Sequence, residues 1–368
     1  MTTDSATPPM APDPTTNAGP LRRFAAGTVI PAQPLALTEA RKLDEVRQQA
    51  LSRYYLAAGA GGVAVGVHST QFEIHYEHKH LLKPVLRLAL DVAQDWADPD
   101  TVMVAGVCGP TGQAVAEAER ALQMGYHATL LAPHGASDLD EAGLLDRARA
   151  VAEVGPVIGF YLQPKAGGRL LSAQFWQALS DIEGVIGIKA APFDRYATAD
   201  VLWGVAHSAR ADDIALYTGN DDHIIGDLLL QYPREGRPPL EFVGGLLGQW
   251  SLFTREAVRV LELSRQAKAG SAGARAELDR IDVPLTDING ALFDRLGDFA
   301  GGLPGIHEGL RRQGLFEGLW CLNTALQLSP GQLEEIDRVW DAWPQLRDDD
   351  FVTEHLASWG LAAKEGAP

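Results

Sequence analysis

Short apolar runs rich in β-branched residues recur along the chain at a nearly constant interval. They are Val63–Val67, Val102–Val107, Ala128–Leu131, Val157–Leu162, Val185–Ile188, Ile214–Tyr217 and Phe242–Leu247, with a weaker candidate at Ala25–Ile30. After a first gap of 39 residues, successive runs start 26 to 29 residues apart. The runs are continuous rather than alternating, which predicts strands buried on both faces, as in a parallel sheet. The stretches between them carry helical signals. Leu81–Trp96 has apolar residues at helical spacing, Gln113–Met124 stops at Gly125, and Asp138–Val154 opens on an acidic first turn. Ser172–Leu179 and Arg255–Lys268 read alike.

Strand and helix alternating with a period near 28 residues indicate right-handed βαβ units. Five or six such units make an open doubly wound sheet, whereas eight close into a barrel. The count of eight predicts a (β/α)8 TIM barrel over residues 21–269 with a C-terminal helical extension over 270–368. In that extension Ala272–Leu296, Gly305–Arg312, Leu315–Leu326, Pro330–Trp340 and Phe351–Leu361 read as helices. Ser329-Pro330 places a capping residue before a first-turn proline, and Asp348-Asp349-Asp350 reads as a solvated helix start. Residues 1–20, rich in Pro, Thr, Ala and Ser, read as a disordered leader.

Composition narrows the partners. The chain has 368 residues, and 31 Lys+Arg against 48 Asp+Glu give a net charge of −17. Such a chain repels phosphate backbones and acidic lipid, so no nucleic acid and no membrane surface is expected. No apolar run reaches the length of a membrane helix, and the first residues lack a basic-then-apolar signal. Two cysteines, Cys108 and Cys321, make neither a disulfide framework nor a CxxC zinc site. A reducing, cytoplasmic setting is the expectation.

The residue that carries chemistry is Lys189. It sits in Gly184–Ala191, among Gly, Val, Ile and Ala only. Burying an unpaired ammonium costs several kcal/mol. A salt bridge or snorkelling at the strand end would relieve that cost, and so would loss of the proton, leaving an amine able to attack a carbonyl. A neighbour suggests itself from two matched segments. VIGFYLQP at 157–164 and VIGIKAAP at 185–192 place Tyr161 and Lys189 at the same offset in successive strands. Both side chains are then expected at the C-terminal mouth, where barrel enzymes hold their active sites. Core packing is the alternative for Tyr161, proton transfer the functional reading.

Other constellations are weaker. His68, His75, His78 and His80, with Glu73 and Glu77, fall within thirteen residues but point in different directions on a loop and first turn, so no metal site is expected. Gly106–Gly112 lacks a phosphate-binding pattern and reads as a tight strand-to-helix turn. Cys108 reads as a small buried filler. Asp221 and Asp222 read as acid/base candidates or simply as a helix start.

The ordered motifs resemble the dihydrodipicolinate synthase / N-acetylneuraminate lyase family of class I aldolases over about residues 25 to 345. Gly62–Val67 with Ser69-Thr70, Ala105-Gly106, Tyr161-x-x-Pro164, Gly187-Ile188-Lys189, Thr218-Gly219-Asn220-Asp221, Gly244-Gly245 and Leu303-Pro304-Gly305 through Gly314 carry the likeness. The resemblance implies a lyase in which Lys189 forms an imine with pyruvate or another 2-oxo acid, without metal or organic cofactor. It implies that Tyr161 shuttles protons and that Ser69 and Thr70 hold the carboxylate. His68, beside that pair at the second-strand mouth, reads as a substrate contact or as a surface or packing histidine. The resemblance also implies an aldehyde or sugar acid as second reactant and a homodimer or homotetramer. Three departures mark a divergent member. Gln71-Phe72-Glu73 replaces the usual Gly-Glu, Ala166 stands where synthases place a substrate-binding Arg, and Ala132-Pro133-His134-Gly135 replaces a tyrosine pair. Lys165 or Arg169 is the candidate substitute cation, and His134 the candidate relay group. Dehydration or decarboxylation of a sugar acid on the same scaffold, or a silent ligand-sensing barrel, remain as alternatives.

Overall fold

The computed structural model describes residues 18–362. Eight parallel strands stand in the order β1-β10-β7-β6-β5-β4-β3-β2. They are β1 (Val29–Pro31), β2 (Gly62–Val65), β3 (Val102–Val107), β4 (Ala128–Leu131), β5 (Val157–Leu162), β6 (Val185–Ala191), β7 (Ala215–Thr218) and β10 (Phe242–Leu247). The seam between β1 and β2 closes through an Ala32–Ala64 bridge, where Gln33 N–H donates to the Ala64 carbonyl at 2.9 Å. The result is the expected barrel. Its lumen is filled by Ile30, Ala64, Val104, Leu130, Ile158 and Leu246, all buried.

The helices α2 (Glu45–Ala57), α3 (Leu82–Trp96), α4 (Thr111–Met124), α5 (Glu141–Ala152), α6 (Ala173–Ser180), α7 (Arg195–Ala206), α8 (Ile224–Leu229) and α9 (Thr254–Lys268) follow the strands in turn. No helix among the described residues is long and apolar enough to cross a membrane.

Three local departures from the expectation stand out. The first strand does not start at Ala25, because Ala25 and Ala26 end the helix α1 (Ala18–Ala26) and only Val29–Pro31 pairs. Of the expected leader, residues 1–17 lie outside the described residues, and 18–20 are the first turn of α1. This helix plugs the bottom of the barrel. Phe24 stacks on Tyr217 at 4.6 Å, and the Tyr217 hydroxyl donates to the Phe24 carbonyl at 2.7 Å. A Cβ on Gly187 would stand 2.9 Å from the Phe24 ring, so glycine is what lets the plug seat. Second, a hairpin of β8 (Tyr232–Arg234) and β9 (Arg237–Leu240) precedes the last barrel strand.

Third, Leu315–Leu326 forms no helix. Its backbone is drawn to distant partners: the Cys321 carbonyl accepts from Arg41 at 2.9 Å, and Leu322 N–H donates to Gln71 Oε1 at 2.7 Å. Gly318 within it also disfavours a helix. The expected C-terminal helical extension is present and packs on the barrel. Helices α10 (Ala272–Leu292), α11 (Gly302–Arg312), α12 (Gln332–Ala342) and α13 (Asp349–His355) share one apolar core with α2, α3 and α9, through Leu278, Leu310, Trp340 and Val352. The segment between α10 and α11 lies across the barrel mouth.

Candidate active site

The C-terminal mouth encloses a cavity of about 290 Å³. Val67, His68 and Ser69 from the turn after β2, Phe160, Leu162 and Gln163 at the end of β5, Lys189, Ala191 and Phe193 at the end of β6, and Gly219 and Asp221 after β7 supply its base and walls. Lys189 is 6% exposed, and that small exposure is to the cavity it lines. It forms no hydrogen bond or ion pair among the described residues; its Nζ stands 4.3 Å above the Phe160 ring. Burial pushes the amine down to about 8, against the opposing pull of the Asp221 charge. Glycine at 219 leaves room for the side chain, since a Cβ there would lie 2.6 Å from the Lys189 Cε.

Asp221 is held as firmly. Thr218 and Asn220 of its turn are tied to the buried Asp227 carboxylate at 2.7 and 2.9 Å, and Phe193 N–H donates to Asn220 Oδ1 at 3.1 Å. The Asp221 carbonyl accepts from Asn289 at 2.6 Å, and its Oδ1 accepts from Gln249 N–H at 3.0 Å. Oδ2 has no hydrogen-bond partner among the described residues. Burial pushes this carboxyl up to about 7, opposed by the Gln249 hydrogen bond and Lys189. The cavity base therefore pairs a destabilised ammonium with a destabilised carboxylate, which favours exchange of a proton near neutrality.

The partner expected for Lys189 is elsewhere. Val157 pairs with Val185, but Ile158 pairs with Gly187, so Ile186 is an extra residue and the matched segments slip by one. Lys189 faces Phe160, and Tyr161 points out of the barrel. The Tyr161 ring packs 4.8 Å from Trp176 of α6, and its hydroxyl accepts from Leu171 N–H at 3.3 Å. The structure thus brings Lys189 and Asp221 together and leaves Tyr161 outside.

The other expected residues divide. His68 lines the cavity, and burial, with the Lys189 and His134 charges, pushes it down to about 4, so it is a neutral imidazole. Ser69 lines it too, but its hydroxyl proton is committed to the Ala32 carbonyl at 2.7 Å. Thr70 is behind the wall. It donates to the Gln33 carbonyl at 2.7 Å and accepts from Gly66 and Val67 N–H at 3.0 and 3.2 Å, which locks the β2 turn to the barrel seam. His134 stacks on Phe72 at 4.5 Å, and Phe72 in turn meets the His68 ring at 5.7 Å, so His134 stands outside the cavity lining. Lys165 reaches the rim, where Asp298 of the tail neutralises it.

His75 is buried within 4.8 Å of ligand atoms on Cys108 and Glu117. Both its ring nitrogens face acceptors, the Gly66 carbonyl at 2.7 Å and Glu117 at 2.9 Å, so both carry protons and neither offers a lone pair to a metal. Burial opposes that charge, but hydrogen bonding to Cys108 and Glu117 outweighs it and pushes His75 up to about 10.

Sequence reasoning missed Phe160 as the lysine's neighbour, left Asp221 between an acid/base group and a helix start, and did not foresee the roof. That roof is Phe293, Phe299, Ala300, Leu303, Ile306 and Leu326.

Solved structures with this architecture include N-acetylneuraminate lyase from Fusobacterium nucleatum in complex with pyruvate, 18% identical, with TM-score 0.67 over 89% of this chain and 99% of that one. Dihydrodipicolinate synthase from Oceanobacillus iheyensis is 17% identical, with TM-score 0.67 over 88% and 98%. The chloride-inhibited synthase from Acinetobacter baumannii complexed with pyruvate is 18% identical, with TM-score 0.69 over 86% and 98%. Among curated protein sequences, none matches this chain. The family model for the dihydrodipicolinate synthetases matches residues 26–231, more than half of the chain, and the chain belongs to that family.

Proposed function

We propose that this protein is a Schiff-base-forming lyase that makes or cleaves a carbon–carbon bond next to the keto group of pyruvate or a related 2-oxo acid. The observation that carries this reading is the lysine: buried, unpaired, facing a cavity, with its proton affinity lowered. Family membership and the pyruvate complexes of two similar structures support it.

The neutral Lys189 amine attacks the keto carbon. The carbinolamine expels water as its hydroxyl takes a proton, and the resulting iminium draws electrons from the adjacent carbon. Some group must move those protons. Tyr161 is outside the cavity, so the role falls to Asp221 through its unbonded Oδ2. In cleavage, Asp221 takes the 4-hydroxyl proton, the C3–C4 bond breaks, an aldehyde leaves and its electron pair forms the enamine. The acid then returns a proton to C3, and water releases pyruvate. His68, neutral and beside Ser69, donates to the substrate carboxylate.

Borohydride with pyruvate tests this directly. The intact protein should gain one reduced pyruvyl group, and Lys189→Ala should gain none. A wild-type protein that stays unmodified under saturating pyruvate overturns the proposal.

A further inference from the structure

Polar groups in the cavity are confined to its base and one rim. Lys189, Asp221, His68, Ser69 and Gln163 crowd the strand ends, and the rim cation Lys165 is paired with Asp298. The rest of the lining is mostly hydrocarbon: Phe193, Phe293, Phe299, Leu303, Ile306 and Leu326. Ala166 extends the same apolar wall.

Two of these residues stand at a cost. Phe193 has φ 52° and Phe299 has φ 66°, the left-handed region that bulky side chains avoid. Such a backbone is strained for a bulky residue and persists only where its surroundings over-determine it. They do so here. Phe193 N–H is tied to Asn220, and Phe299 N–H donates to the Asp294 carbonyl at 2.9 Å. Asp294 is itself fixed by Gly301 N–H at 2.8 Å and by Ser329. Glycine would fit both backbones without strain, yet both positions carry phenylalanine. The rings meet edge to face at 5.7 Å, and Phe193 meets Phe293 in the same way at 6.3 Å. Both strained rings are half-buried and stand between this cavity and a larger open one beside it, lining both.

We infer that this half of the cavity is a preformed clamp for an apolar, arene-sized group, so that the aldehyde released or captured opposite pyruvate is an aryl or similarly apolar aldehyde rather than a sugar. A polyhydroxylated chain would strip its hydroxyls of water against hydrocarbon with no partner to replace it. This inference deepens the imine reading and rests on it for the reaction, not for the recognition.

The test uses two arms on the full chain. In turnover, cleavage of 4-hydroxy-2-oxo-4-phenylbutanoate to benzaldehyde and pyruvate is compared with cleavage of 2-keto-3-deoxygluconate; kcat/KM should favour the phenyl compound by about 50-fold or more. In binding, calorimetry on Lys189→Ala compares 2-oxo-4-phenylbutanoate with 2-keto-3-deoxygluconate, and the same preference should appear without the imine. Phe193→Gly and Phe299→Gly relieve backbone strain, so both should fold, and each should cut the binding preference by about tenfold. A preference for the polyol in the binding arm overturns the clamp even if pyruvate is trapped on Lys189. A phenyl preference in Lys189→Ala together with no pyruvate adduct on wild type sustains the clamp and overturns the imine reading instead.

Discussion

Strands β5 and β6 open on the same three residues and reach a proline at the same distance, yet they present opposite faces at their ends. On β6 one extra residue, Ile186, enters the ladder, and Lys189 comes to rest against Phe160 while Tyr161 turns to α6. A single inserted residue is enough, because side chains alternate with period two. Two strands with nearly the same text thus give one reactive group and one packing group. The proton carrier that the eye seeks on β5 is found instead on the turn after β7, where Asp221 is fixed by its neighbours on every side but one.

The comparison can be broken by substitution. Lys189→Ala should cost on the order of 10⁴-fold or more in turnover, whereas Tyr161→Phe should leave turnover within about threefold and lose ~1 kcal/mol of stability with the Leu171 hydrogen bond. Steady-state kinetics and denaturant melts read both; a large loss of turnover in Tyr161→Phe would restore the phenol to the chemistry. Asp221→Asn should lower turnover by about 10²–10⁴-fold. Its pH profile carries the sharper signature. In wild type the amine must lose its proton and the carboxyl must keep one, so turnover should form a bell with its limbs near 7 and 8. Without the Asp221 charge, which holds the proton on Lys189, the amine should shed its proton below pH 8 and the falling limb should vanish, leaving a profile that rises to a plateau. Phe160→Tyr in the Asp221→Asn background places a phenol over the amine and should recover about tenfold. Thr70→Val touches no reacting atom; it leaves the Gly66 and Val67 N–H groups unpaired and should cost about 1–3 kcal/mol in a denaturant melt.

What could be read from the sequence followed burial. Runs such as Val102–Val107, Ala128–Leu131, Val157–Leu162 and Phe242–Leu247 coincide with strands residue for residue, because continuous apolar segments have one use in this fold. Lys189 was legible for the same reason, as the one charge in an apolar run. Register was not: Gly187 beside the bulge at Ile186 has its counterpart Gly159 in the matching text of β5, so nothing in the two segments marks the slip of Lys189 against Tyr161. Asp221 was hidden because a carboxylate after a strand is also how a helix commonly begins. The roof was hidden because it is non-local. Phe299 meets Phe193 from more than a hundred residues away, and Leu315–Leu326 is shaped by partners such as Arg41 and Gln71 that local periodicity does not contain.

The central claim is an amine that sheds its proton near neutrality inside the barrel mouth. The most direct measurement is the rate of pyruvate adduct formation at Lys189, followed from pH 5 to 11 by borohydride quenching and peptide mass analysis. The account predicts modification at Lys189 with a rate that peaks between about pH 7 and 8. A rate that climbs steadily to the ordinary lysine range near pH ~10.4, or an adduct on any other lysine, would contradict it.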